Sequence, residues 1–291
     1  MTNQISSQRI KRCLLSHTIT TEKKGPILHV HQNAYEVTLF KRGNVDYFVN
    51  DAMYHLKAGN LLLIRPHDIH GYTCKDTSPY ERLSVHIEEN LAASLSSDTT
   101  DLLSCFTSPH HSAARRINSE QMKMFEYYTN QAILCLNEQN FGHDIQVCSY
   151  LSMILIIANT ASQNPDALQV DSFPPFIQNA IAYINANFSN DISIQDIADN
   201  LNISRSRLCH AFKEFTGAPL WNYVIARRIQ EAEKLLKQGA SITAACYESG
   251  FQDYAHFAKT FRQFTGMSPG KYTKNSGKKD PNIPMLKINI T

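Results

Sequence analysis

The chain has 291 residues, a formal net charge of +2 and 43% hydrophobic residues. That supports two domains with a core in each and excludes a disordered or fibrous chain. The polar N-terminus lacks the apolar core of a signal peptide, and the longest apolar run, Met153 to Ala158, is too short to cross a bilayer.

Seven scattered cysteines without a Cys-x-x-Cys fit reduced thiols better than disulfides or a zinc site. A cytoplasmic protein with no membrane partner is expected. Charge is uneven. Residues 1–171 carry 14 Lys/Arg against 17 Asp/Glu (net −3), residues 172–274 carry 11 against 8 (net +3), and residues 275–291 carry 3 against 1 (net +2). The C-terminal half is only mildly basic, so the placement of its cations matters more than their total. Charge alone leaves a protein-binding module open.

In chain order, residues 1–24 are polar and unpatterned and read as an arm. Ile27–His31, Tyr35–Phe40, Val45–Val49, Met53–Leu56, Leu61–Ile64 and Tyr80–Ile87 are short β-rich runs. Turn residues such as Gly43-Asn44, Asn50-Asp51, Gly59-Asn60 and Pro66-His67-Asp68 punctuate them, as in a β-barrel or jelly roll. Residues 88–111 are polar and ambiguous, with a short helix predicted at Leu91–Leu95. Ser119–Glu138 and His143–Ala161 read as two helices joined by Asn140-Phe141-Gly142. This hairpin either caps its own barrel or forms a dimer, and spacing does not separate the two.

A linker is expected at 163–174, marked by Asn164-Pro165 and Pro174-Pro175. Phe176–Phe188 opens an all-helical half, and the lysine-rich tail 275–291 is expected to be mobile. The predicted division is therefore a barrel over 1–112, a helical hairpin over 113–162, a linker over 163–174, a helical domain over 175–274 and a tail.

The helical half contains one pattern twice. The first copy is Ile197-Ala198-x3-Asn202-Ile203, Leu208 and Phe212-Lys213-Glu214-Phe215-Thr216-Gly217. The second is Ala245-Cys246-x3-Gly250-Phe251, Phe257 and Phe261-Arg262-Gln263-Phe264-Thr265-Gly266. Each fits a helix-turn-helix. Ala198 and Cys246 allow a close helix crossing. Asn202 and Gly250 tolerate the positive φ of the turn, and Ser204 and Asp253 are N-caps of the second helix. Pro219 to Gln238 reads as one helix between the copies, about 30 Å long at 1.5 Å per residue. A spacer of that length holds two reading helices in successive major grooves, about 34 Å apart.

These residues, with the closing Gly266-x-Ser268-Pro269-x2-Tyr272, resemble the AraC/XylS family of transcription regulators. The resemblance implies two helix-turn-helix motifs on a long helix, double-stranded operator DNA and RNA polymerase as partners, and a homodimer. It implies DNA contacts from Arg205, Ser206, Arg207, Cys209 and His210 in the first reading helix and Tyr254, Ala255, His256 and Lys259 in the second.

The N-terminal half carries Gly25-x3-His29-x-His31-x4-Glu36-x6-Gly43, then Gly59-x6-Pro66-x3-His70. This resembles the two cupin motifs, and cupin-like barrels are common sensor domains in the family. The resemblance implies a small-molecule effector, sugar-like, held by His29, His31, Glu36 and His70. In metal cupins the matching positions bind a divalent metal. The second motif departs from the pattern, one residue short between Pro66 and His70 and without its glycine. The reading is therefore an effector pocket without metal or cofactor. Arg82 and His86 are further polar candidates for the cavity, and Tyr47, Phe48 and Tyr54 either stack on a sugar or pack within the barrel. The expectation is an effector-controlled activator, not an enzyme. The rival is a metal-dependent cupin enzyme carrying a DNA-binding domain, and a third class is a constitutive DNA binder.

Overall fold

The structure, a computed structural model, describes residues 2–10, 12–21, 30–31, 33–108, 111–163 and 173–276. Among the described residues nine strands precede a helical half: β1 Thr2–Ile10, β2 Cys13–Thr20, β3 Ala34–Arg42, β4 Val45–Val49, β5 Ala52–His55, β6 Asn60–Ile64, β7 His70–Cys74, β8 Tyr80–Glu88 and β9 Ala114–Arg116. They form a six-stranded sheet, β1-β2-β8-β3-β6-β9, facing a three-stranded sheet, β5-β4-β7. Two short helices, α1 Glu89–Ser94 and α2 Ser104–Thr107, lie between β8 and β9.

Period-2 alternation sorts the large sheet into two faces. Val37, Leu39, Leu61, Leu63, Leu83, Val85 and Ile87 point outward, under a helical hairpin of α3 Ser119–Glu138 and α4 His143–Gln163. Phe40, Leu62, Ile64 and Tyr80 point inward, against Val45, Tyr47, Val49 and Tyr72 of the small sheet. The hairpin thus caps its own barrel, with Phe125, Leu136, Leu151 and Leu155 buried. Its other side stays open: Tyr127 is 53%, Leu134 49% and Ile145 68% exposed. Among the described residues α4 is the one helix long and apolar enough to cross a membrane. Val147, Leu151, Ile154 and Leu155 instead bury one side of it in the barrel's outer core.

The reading of residues 1–24 as an unpatterned arm is corrected. Cys13–Thr20 is a strand between β1 and β8, pairing Leu15 with Val85. It shows no clean alternation because consecutive residues Cys13 to Ser16 are all buried, with the hairpin on one side and the barrel interior on the other. Residues 30–31 are irregular rather than strand, and the rest of the run expected over Ile27–His31 lies outside the described residues. So does most of the expected linker and tail. β7 and β9 are additional strands.

The helical half comprises α5 Pro175–Asn187, α6 Ile194–Asn200, α7 Arg205–Thr216, α8 Leu220–Lys237, α9 Ile242–Glu248, α10 Tyr254–Thr265 and α11 Pro269–Ser276. Local chemistry sets each boundary. The side chain of Ser204 accepts from Arg207 N at 3.3 Å, and that of Asp253 accepts from His256 N at 2.6 Å. Asn202 and Gly250 occupy the left-handed region, φ 53° and 94°, in the two turns. Ala198 and Cys246 are fully buried where the paired helices cross. α8 has 18 residues, about 27 Å at the helical rise.

Candidate effector pocket and nucleic-acid interface

The register of β3 against β8 builds the interior site. Glu36 lies opposite His86, and Thr38 opposite Ser84. All four side chains belong to the inward set. β7 starts at His70, paired with Val49 on the small sheet, and the turn before it contributes Asp68. His31 approaches from the irregular segment before β3.

Three imidazoles converge on one carboxylate oxygen. Glu36 Oε2 is 2.8 Å from His31 Nε2, 3.2 Å from His70 Nε2 and 3.3 Å from His86 Nε2. Glu36 Oε1 accepts from Thr38 Oγ1 at 2.7 Å. Every member is buried. Burial alone would raise the Glu36 pKa. The nearby His86 charge and the imidazole hydrogen bonds outweigh it and hold the carboxyl well below its usual range. Burial, then the neighbouring His86, pushes His31 down to about 4. The carboxylate is therefore an anion in the barrel core beside a neutral His31.

Of the four residues predicted for this pocket, His31, Glu36 and His70 come together, and His29 lies outside the described residues. His86 completes the cluster. It belongs to no motif string; the sequence offered it, with Arg82, only as a polar residue on a β-rich run whose direction was open, and the β3–β8 register turns it inward.

Aromatic residues extend the polar interior. The Tyr47 ring stacks with both His70 and Tyr72, at centroid distances of 6.3 and 6.4 Å. The Arg82 guanidinium lies 4.4 Å from the Tyr80 ring centroid and 5.0 Å from that of Tyr72. Burial raises the Tyr47 phenol well above its ordinary value, so it stays a neutral donor. An interior with one carboxylate, imidazoles, phenols and a guanidinium can grip a ligand rich in oxygen. Tyr54 is packed in the barrel core. Phe48 points the other way and meets Phe173 and Tyr223 at 5.7 and 6.3 Å.

That contact belongs to a seam between barrel and helical half. The turn residue His67 is its polar centre. Its carbonyl accepts from Gln230 Nε2, its Nε2 lies 3.3 Å from Lys237 Nζ and its Nδ1 lies 3.5 Å from Glu233 Oε2. Burial raises the Glu233 pKa. His67 N also donates to His31 O at 2.7 Å. The same short turn therefore touches α8 on one side and the buried cluster on the other. A cleft of about 900 Å³ opens beside it, between Arg65, His67 and Asp68 and α8 residues Arg227, Lys234 and Lys237.

On the helical half, Arg205, Ser206, Arg207 and His210 of α7 and Tyr254, Ala255, His256 and Lys259 of α10 are exposed, while Cys209 is half-buried. Leu208 and Phe212 anchor α7 beneath them, and Phe257 and Phe261 anchor α10, all fully buried. Two of the exposed residues are already engaged locally: Arg207 lies 5.8 Å from the Phe176 ring centroid, and His210 is 3.8 Å from Glu214.

An inward-facing polar barrel joined to two capped helix-turn-helix units defines a ligand-binding DNA-binding regulator. Comparison with known proteins agrees. Residues 13–175 match the AraC-like ligand binding domain, and residues 197–275 match a helix-turn-helix domain. The chain belongs to the AraC family of transcription regulators. It is 34% identical over 116 residues to an HTH-type transcriptional regulator in the cgkA 5′ region of Pseudoalteromonas carrageenovora, covering 40% of this chain and 69% of that one. It is 29% identical over 136 residues to the lactose operon transcription activator of Staphylococcus xylosus, covering 46% and 49%. It is 22% identical over 248 residues to the HTH-type transcriptional activator RhaS of Escherichia fergusonii, covering 84% and 87%. These relatives are regulators and activators rather than enzymes.

Proposed function

We propose that this regulator is an activator switched by a sugar or related metabolite bound inside the barrel, with His31, Glu36, His70 and Arg82 as its polar anchors. The observation that carries this reading is the buried, aromatic-lined polar cluster at the heart of the N-terminal half. The lactose operon activator among its relatives favours the same ligand class. Occupancy of the cluster acts on the His31–His67 hydrogen bond, and so on the contacts of His67 with Gln230, Glu233 and Lys237 of the spacer helix. The shift achieved is limited by the effector's difference in affinity for the two arrangements.

In this reading the exposed faces of α7 and α10 read successive major grooves. Ala255 and the Tyr254 ring meet thymine methyls, and His256 and Lys259 meet guanine acceptors. The open side of the α3–α4 hairpin pairs two copies, and the operator-bound dimer recruits RNA polymerase in the cytoplasm.

The experiment is a melting curve of the full chain against a panel of sugars and sugar acids, followed by operator binding with and without each hit. A ligand at a hundredfold excess over its dissociation constant stabilises the folded chain by about 2.7 kcal/mol. A hit that also changes operator affinity, with both effects lost in Arg82→Ala, supports the reading. Operator affinity that no panel member alters refutes a sugar-class effector.

A further inference from the structure

We propose that the effector carries a carboxylate and that Arg82 is the residue that selects it. The ligand class is a hydroxylated acid, such as a uronate or aldonate, bound with its charged end on the Arg82 guanidinium and its hydroxyls toward the Glu36 cluster. The inference rests on the reading of the barrel as the effector site and narrows its ligand. Three observations carry it. The first is a cation without a counter-ion. Among the described residues no carboxylate lies within ion-pair distance of Arg82. Glu81, its neighbour in sequence, is on the opposite face of β8, paired with His17, Lys41 and Arg42. Glu36 is engaged by three imidazoles. The hydrogen bond that Arg82 does make, to Thr20 Oγ1, is long at 3.4 Å. The Tyr80 and Tyr72 rings, at 4.4 and 5.0 Å, offer it π-faces. A guanidinium has five N–H donors in a planar fork that matches a carboxylate, so most of that capacity is unused.

The second observation is the Tyr80 hydroxyl. It belongs to the ring that lies against this guanidinium, and it is buried without a hydrogen-bond partner. A buried polar group left unpaired is costly. An oxygen acceptor is what both groups lack. The third is layout. Arg82, Ser84 and His86 share the inward face of β8, and His86 stands opposite Glu36. Arg82 and His86 are four residues apart, about 13 Å along a strand. Between them stand only the short hydroxyl side chains of Ser84 and Thr38, 2.7 Å apart. On the small sheet an aromatic wall runs the same way, from His70 through Tyr47 and Tyr72 to Arg82. The interior is therefore anionic at the Glu36 end and cationic at the Arg82 end. A ligand carboxylate is repelled from one and drawn to the other, which fixes its direction. Charge-assisted hydrogen bonds are roughly twice as strong as neutral ones, so the fork favours an acid over the neutral sugar of the same shape.

The test uses the full chain and matched ligands: glucose, galactose and mannose, their uronates and aldonates, and the uronate methyl esters, which keep the shape and remove the charge. Melting curves find the binders and calorimetry measures their affinities. The expected result is an acid that binds about ten- to a hundredfold more tightly than its own sugar and ester. The preference should disappear in Arg82→Gln and remain in Arg42→Gln, which removes an exposed cation of the same barrel. The comparison of acid with ester in the wild-type chain keeps the proposal falsifiable if Arg82→Gln fails to fold. A sugar or ester that binds as tightly as its acid, or an acid preference that survives Arg82→Gln, would overturn the carboxylate and leave the barrel standing as a sugar sensor. Binding by no member of the panel would overturn both.

Discussion

Gly250 offers a quantitative test of how the second helix-turn-helix is held. The residue sits at φ 94°, and a Cβ placed there would lie 2.5 Å from Phe188 O and 2.9 Å from Ser189 Cα. Two penalties follow. A left-handed backbone costs an L-residue about 1–2 kcal/mol. Forcing the α9–α10 turn away from the end of α5 adds about 1–3 kcal/mol of overpacking. The displaced carbonyl is also the acceptor for Arg228 Nε at 2.7 Å, so the clash propagates into α8. Gly250→Ala should therefore cost about 2–5 kcal/mol, and Gly250→Val more, since a branched Cβ resists positive φ further. Gly142 is the control: it has φ 78° with nothing within 4 Å of an added Cβ, so Gly142→Ala carries the backbone penalty alone. Urea melts of the three variants, read beside operator binding, separate the two terms. If Gly250→Ala costs no more than Gly142→Ala, the close approach to Phe188 is not a determinant of the fold and the argument fails. Asn202, at φ 53° in the first turn, already carries a Cβ, so Asn202→Gly should change stability by a few tenths of a kcal/mol at most.

Three further outcomes are expected. His256→Ala and Lys259→Ala should each cost about 1–3 kcal/mol on a cognate operator and much less on random DNA; equal losses in gel-shift titrations would assign them to phosphate contact only. Glu81 is set for an acid-stability measurement. Burial would raise its pKa, but hydrogen bonds from His17, Lys41 and Arg42 bring it from 4.5 down to about 2. A depressed folded-state pKa gives stability that is present above pH 4.5 and lost as pH falls toward about 2, so Glu81→Gln should flatten that limb of the stability curve, removing about 1–2 kcal/mol above it. Unchanged acid melts would refute the role of this ion cluster. Finally, Tyr127→Glu with Ile145→Glu should shift sedimentation from dimer to monomer while leaving the thermal melt nearly unchanged, because both side chains are exposed in the single chain. A wild-type chain that sediments as a monomer, or a dimer indifferent to the double change, would move the partner surface elsewhere.

The helical half was legible because its determinants are local. Ser204 and Asp253 cap helices that start one residue later, Asn202 and Gly250 make turns within their own motifs, and α8 stops before Gly239 at φ 90°. Such choices depend on residues a few positions apart, and a sequence displays them directly. The barrel motif was legible in part through resemblance: His31 and Glu36 match the first cupin motif and His70 the second, which brought all three to one reading. What only the tertiary structure decided was non-local. Glu36 meets His86 through the pairing of strands 50 residues apart, and a one-residue slip would have turned His86 outward. β2 escaped notice because both its faces are covered, which erases the alternation that marks a strand. Tyr47 and Phe48 are neighbours in sequence, yet one stacks inside the pocket and the other on Tyr223 of the helical half, since alternate side chains of a strand face opposite ways. The sequence alone determined that this chain carries two similar helix-turn-helix motifs on either side of a long helix. Sheet register and the packing of the His67 turn on α8 decided which buried groups cluster inside the barrel and how that cluster connects to the helical half.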